Sequence, residues 1–367
     1  MAWQLSIVPT QSAAVEVITY NNASDIKPIS DNPLYLPYKL SSYVGAQISG
    51  SMRIIRAISI IFFGLSVMAL YRILKRWHSD KVALFASMLF ATNATALSIG
   101  RLGAPYVMLF TWSIIISLLL WLQHGSSRRV APFTLACVCA ALFYVPGAPY
   151  FFVLLMLLFG RKIKSLFSNM TKTAFYVSIV AVIAVMTPLI ITFTQDIEIL
   201  KQWLFIPETI DLASIPRNVL RVPSAFIYRA PIDPVVTIGR LPILDVATGG
   251  LFLLGLYAYQ KHIKLERTKI MLLTALLSII IGSLGQVMIA IILVLPFVYA
   301  VVAAGISYLL EQWYAIFPKN PFARSFGLLI ISIVVMASSY YQLTRFLVVW
   351  PQTPETRAVY DQPRLVQ

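Results

Sequence analysis

Apolar runs long enough, or nearly long enough, to cross a bilayer recur along this chain, and that recurrence leaves few folds open to it. They fall at about 54–74, 82–99, 104–122, 130–146, 148–160, 173–194, 242–259, 269–285, 287–310 and 325–349. A spanning helix needs roughly 20 such residues. Inside lipid the backbone must satisfy its own hydrogen bonds, so the runs read as helices. The expectation is an all-α, polytopic integral membrane protein with about ten transmembrane helices. The run 148–160 is short; it is tilted, re-entrant or joined to its neighbour through Pro146-Gly147. Composition excludes the soluble alternative. The chain is 59% hydrophobic and 12% charged, against roughly 45–50% and about 25% in soluble domains.

The connectors orient the array. If residues 1–53 lie outside and the chain alternates, one set of connectors lies inside. It holds Arg72, Lys75, Arg76 and Lys81; Arg128 and Arg129; Arg161, Lys162, Lys164 and Lys172; Lys261, Lys264, Arg267 and Lys269; Lys319 and Arg324. Of the 14 acids only Asp80, Glu266 and Glu311 lie beside them. The short outer connectors near 100–103, 146–148 and 285–287 contribute one basic residue, Arg101. This is the positive-inside pattern. It accounts for the net charge of +15 through the cytoplasmic leaflet, so membrane lipid is an expected partner and nucleic acid is not.

Three polar pieces then face outward. They are an N-terminal segment, 1–53, with an interfacial helix over 34–48; a loop, 195–241, interrupting the transmembrane domain 54–349; and a tail, 350–367. Long ordered loops often carry function, so chemistry is expected on the outer face. Cys137 and Cys139 lie two apart in an apolar run and point in different directions on a helix. With His78, His124 and His262 far away in connectors, neither a disulfide nor a zinc site is expected. No Walker loop, HExxH or GxSxG element occurs. The spans lack buried acids and lysines, which argues against a proton-coupled pump. The first residues, MAWQLSIVPTQ, have neither the basic start nor the apolar length of a signal peptide.

Glu16, Asp25 and Asp31 in the first outer segment are candidate bases or metal ligands, or else ordinary solvated acids. Asp31 or Asn32 could equally cap the helix that follows, with Pro33 near its first turn. Arg101, in the tight outer connector Ser98-Ile99-Gly100-Arg101-Leu102-Gly103, needs an anion at that depth. That anion is a lipid-linked phosphate, held bidentately, or an internal carboxylate; otherwise the side chain snorkels to lipid headgroups. In the loop, Arg217 and Arg221 are four apart and would share a helix face. With Arg229 and the apolar residues between, they suit an amphipathic helix gripping a polyprenyl phosphate, or ordinary lipid. Asn93 and Thr95, inside a span, are expected to hydrogen-bond between helices.

Over about residues 9–122 the chain resembles the C-type (GT-C fold) membrane glycosyltransferases, in the mannosyl- and aminoarabinosyl-transferase-like branch. The residues that carry the likeness are Asn32-Pro33-Leu34-Tyr35, the stretch from Arg53 through Arg56 and Gly64 to Tyr71-Arg72, the basic pair Lys75-Arg76, and the second span from Ala83 to Ser98 with Gly100-Arg101. The resemblance implies transfer of a sugar from a polyprenyl-phosphate donor to a glycan, lipid or protein acceptor at the outer face of a bacterial plasma membrane. It implies inversion at the anomeric centre, with an outer-loop acid as base or acceptor guide. That acid would be Glu16, or failing it Asp25 or Asp31; Arg101, Arg217, Arg221 and Arg229 would hold phosphate. It assigns no certain cofactor and leaves room for a divalent metal ion. The chain begins without the spanning helix that precedes the first outer segment in that family, and it lacks the family's paired acids. These departures favour a non-catalytic assembly subunit as one alternative. A transporter or flippase for a lipid-linked solute is the other.

Overall fold

The computed structural model describes residues 12–111, 114, 131–168, 171–207 and 212–360. The basic connector Arg128-Arg129, His124, the second half of the 104–122 run, Asn169, the first eleven residues and the last seven of the tail lie outside the described residues. The described residues are helical throughout, with no strand among them.

The N-terminal segment forms three helices: α1 (Ala14–Ser24), α2 (Lys27–Asp31) and α3 (Leu36–Ile48). α4 (Arg53–Trp77) then runs for 25 residues and packs on α5 (Asp80–Thr92), which is followed by α6 (Ala94–Arg101). Residues Pro105–Phe110 make a 3₁₀ turn. Next come α7 (Ala131–Leu142), α8 (Ala148–Ser168), α9 (Lys172–Gln195) and α10 (Ile197–Trp203). The loop 195–241 also contributes α11 (Ile215–Ile227). The second half is α12 (Val246–Lys261), α13 (Glu266–Ser283), α14 (Val287–Ile316), α15 (Pro321–Thr344) and α16 (Pro354–Tyr360).

Among the described residues four helices are long and apolar enough to cross a membrane: α4, the Phe175–Gln195 part of α9, α14, and α15 continued to Gln352. The bent pair α5 and α6 makes a fifth if it counts as one span. The other runs are shorter or more charged as helices. α12 has 16 residues, and α13 carries Glu266, Arg267 and Lys269 in its first turn.

α14 is the central post. Some 89% of its most apolar window is buried inside the protein, as expected of a helix apolar all round. It packs on α5, α11, α12 and α13. Two glycines set the closest approach. A Cβ on Gly255 would lie 1.9 Å from the Val301 carbonyl oxygen, and one on Gly305 would lie 1.9 Å from that of Leu251. Small residues let helix backbones touch in this way inside a bilayer.

The second apolar run is broken. Asn93 ends α5 with an extended ψ of 129°, and its Oδ1 accepts from the Ala96 amide to cap α6. The two helices diverge by 63°. A break among apolar helices needs its freed groups paired. Here Gln342 Oε1, from α15, accepts from the Ala94 amide at 3.2 Å, and Asn93 Nδ2 donates to Ile243 O at 2.9 Å. Asn93 therefore reaches across the fold, to the backbone of the connector that precedes α12.

Polar segments meet at two ends. At one, Arg267 donates to Trp77 O at 2.8 Å and Lys75 pairs with Asp80 at 3.0 Å, joining two connectors expected inside. At the other, α1, the start of α4 and Gly103 meet. Trp350 and Thr356 there donate to Pro234 O, tying the tail to the large loop. Between Arg56 and Trp77 the rise of α4 is ~31 Å, close to the roughly 30 Å of a hydrocarbon core.

Candidate functional site

Glu16 lies in the first turn of α1, 1% exposed. Its Oε2 accepts from the Ala13 amide at 3.1 Å, closing the start of the helix. From 40 residues along, Arg56 grips the same carboxylate at both oxygens, Nε to Oε1 at 2.8 Å and Nη2 to Oε2 at 2.7 Å. The Gly103 amide adds a bond to Oε1 at 2.9 Å. Bidentate guanidinium–carboxylate pairing of this kind is short and directional. Four donors converge on one carboxylate, so its lone pairs are engaged.

The rest of the node closes around this pair. Arg101 ends α6, is 3% exposed, and stands 6.0 Å from the centre of the Phe346 ring. It feels the charges of Arg56 and Glu16. Tyr360, brought back by α16, is 3% exposed and interacts electrostatically with Glu16, Arg56 and Arg101. Burial pushes its hydroxyl well above the usual tyrosine range, so it stays a neutral donor. Tyr38 of α3 bonds Ser59 at 2.7 Å, and Ser59 donates to Leu102 O at 2.6 Å. Tyr38 also lines a cavity of about 250 Å³ between α1, α3, Pro105-Tyr106 and Gln202 of α10. The node therefore borders open space.

The other expected acids sit elsewhere. Asp25 is exposed and accepts from the amides of Ile26 and Lys27, opening α2. Asp31 is exposed at the end of α2 and does not cap the interfacial helix. That helix starts at Leu36, not 34, with Pro37 in its first turn; its cap is Tyr35, in the left-handed region at φ 60°. Asn32 turns the chain before it, its Oδ1 accepting from the Leu34 amide.

The loop arginines form a second cluster. Arg217 and Arg221 lie on α11, both exposed, and Arg229 follows it, also exposed. α11 packs on α13 and α14, whereas the Glu16 node is built from α1, α4 and α6. Arg221 is 3.4 Å from Asn218 Oδ1, and Asn218 Nδ2 lies 3.5 Å from Ser283 O, tying α11 to the end of α13.

Three polar features escaped the sequence reading. Asp245 is a hub: its Oδ2 accepts from Ser338 at 2.6 Å, Thr248 at 2.7 Å and Gln342 at 3.2 Å. The signal was local, an Asp three residues before a Thr at the head of an apolar run. Asp233, half-buried, has its carboxyl pushed above the usual range by burial, against the opposing amides of Val235 and Val236. Lys39, also half-buried, lines the cavity.

Among the described residues no group of three His, Cys, Asp or Glu could hold a metal ion. Glu16 has no free lone pair to offer one, Asp25 is exposed before α2, and Asp31 is exposed at its end. The residues present do not fit a divalent-metal site. The chain matches no known protein-family model and no curated protein.

Proposed function

We propose that this chain is a membrane glycosyltransferase that moves a sugar from a polyprenyl-phosphate donor to an acceptor at the outer face of a bacterial plasma membrane, with about ten crossings and α3 and α11 lying along that face. One observation supports the reading above others. Glu16, Arg56 and Arg101, drawn from three segments of the stretch that resembles the GT-C enzymes, gather in one buried node beside a cavity. Arg101 and the α11 arginines Arg217, Arg221 and Arg229 are the phosphate-facing cations in this reading. Glu16 acts first as an orienting group, because Arg56 and the Gly103 amide occupy it. To serve as a base it must exchange the Arg56 contact for the acceptor hydroxyl. Asp25 and Asp31 remain the alternative bases, free in solvent.

The filled carboxylate also favours a second reading, a non-catalytic assembly subunit in which the Glu16–Arg56 pair is purely structural. Transfer of labelled sugar from polyprenyl phosphate by membranes containing the full chain separates the two. The transferase reading expects incorporation by wild type and at least a ~100-fold loss in Glu16→Gln, the scale of a displaced acid–base group. Wild-type transfer by Glu16→Gln removes Glu16 from the chemistry. No transfer by wild type across donor sugars favours the subunit.

A further inference from the structure

The 250 Å³ cavity at the outer end has a composition of its own. It amounts to about eight water volumes, room for one monosaccharide. Its wall includes two amide side chains, Asn22 of α1 and Gln202 of α10, and the rings of Tyr35, Tyr38 and Tyr106. Side-chain amides and aromatic faces are the groups that suit a sugar, the first for its hydroxyls and the second for its C–H faces. The amides of Asn22 and Gln202 make no hydrogen bond to another described residue.

One cation lines the cavity, Lys39 of α3. An ammonium has three donors; one goes to Asn32 O at 2.5 Å. No carboxylate lies within ion-pair reach of Lys39 among the described residues. A half-buried ammonium with no counter-charge is costly to keep. The cost shows as a pKa lowered to about 8, with burial as its cause. A structural lysine on an interfacial helix would snorkel to solvent; this one lines a half-open cavity and donates to Asn32 O.

We propose that the cavity binds an anionic monosaccharide, a sugar phosphate or sugar acid, with Lys39 as the counter-ion to its charge and Asn22 and Gln202 as hydroxyl partners. The site does not depend on the transferase reading, since a flippase or a binding subunit for a charged saccharide would use it equally.

Calorimetry on the full chain in nanodiscs tests this, with glucuronate and glucose 1-phosphate as probes and glucose as the neutral control. Wild type binds both anionic sugars about tenfold or more tighter than glucose, the scale of a charged hydrogen bond. Lys39→Met abolishes that preference and Lys39→Arg retains it. Should Lys39→Met not fold, wild type alone decides. Glucuronate keeps its charge from pH 7 to 9, so its affinity must fall across that interval as Lys39 loses its proton. The other titratable groups in the wall are Tyr35, Tyr38 and Tyr106, and burial holds the first two protonated well above that range. Equal affinity for glucose and glucuronate, an unchanged preference in Lys39→Met, or a pH-independent glucuronate affinity each overturns the proposal.

Discussion

Arg56 and Glu16, 40 residues apart, are joined by two parallel hydrogen bonds of 2.8 and 2.7 Å, with side chains 6% and 2% exposed. The pair locks α1 onto the start of α4, and the Gly103 amide adds the end of the second apolar run. Removing one partner leaves a buried charge, whose cost exceeds the net worth of the pair.

Arg56→Met should therefore destabilise the protein by about 3–5 kcal/mol, read as reversible unfolding in detergent. The double variant Glu16→Gln/Arg56→Met should recover most of that loss, since neither charge is stranded. A single variant within about 1 kcal/mol of wild type would mean the pair is wet in solution.

The glycines at the centre separate close packing from helix propensity. Gly305→Ala must push apart the backbones of α12 and α14, because its Cβ meets Leu251 O at 1.9 Å. A loss of about 1–3 kcal/mol is expected. Gly249, on α12 with nothing within 4 Å of its Cβ position, should gain up to about 1 kcal/mol as Ala. Thermal unfolding of the two variants beside wild type checks the contrast.

His78 carries a pH dependence at the end where Arg267 meets Trp77. Burial first, then Arg267, lowers its pKa to about 4 from an ordinary 6.5. The native state thus keeps His78 neutral where the unfolded chain would protonate it. Its contribution to stability is present above pH 6.5 and is lost as pH falls from there towards 4. The apparent melting temperature of wild type should drop across that interval, and His78→Phe should flatten the drop. An equal slope in both proteins would assign the titration elsewhere.

Local chemistry was legible in the sequence and long-range pairing was not. The runs that became α4, α14 and α15 follow from apolar length, and the helix that carries Arg217 and Arg221 on α11 follows from their spacing. The joining of Trp77 to Arg267 agrees with two basic connectors expected on one side. The break at Asn93 was hidden, because an Asn inside an apolar run reads as an interhelical bond when the groups that satisfy the break, Ile243 O for Asn93 and Gln342 Oε1 for the Ala94 amide, lie 150 and 248 residues away. Glu16 could be singled out, but nothing local announces that Arg56 and Gly103 saturate it. Lys39 drew no notice because its cavity exists only once α1, α3, α10 and Tyr106 are assembled.

Everything functional here depends on the Glu16 node and the loop 195–241 sharing the compartment opposite the basic connectors. Single cysteines at Arg229 and at Lys264, in a chain with Cys137 and Cys139 replaced by serine, test this with a membrane-impermeant maleimide on intact cells. The Arg229→Cys protein should label at once, and the Lys264→Cys protein only after the membrane is opened. Labelling of both from the same side, or of Lys264→Cys alone in intact cells, would contradict the account.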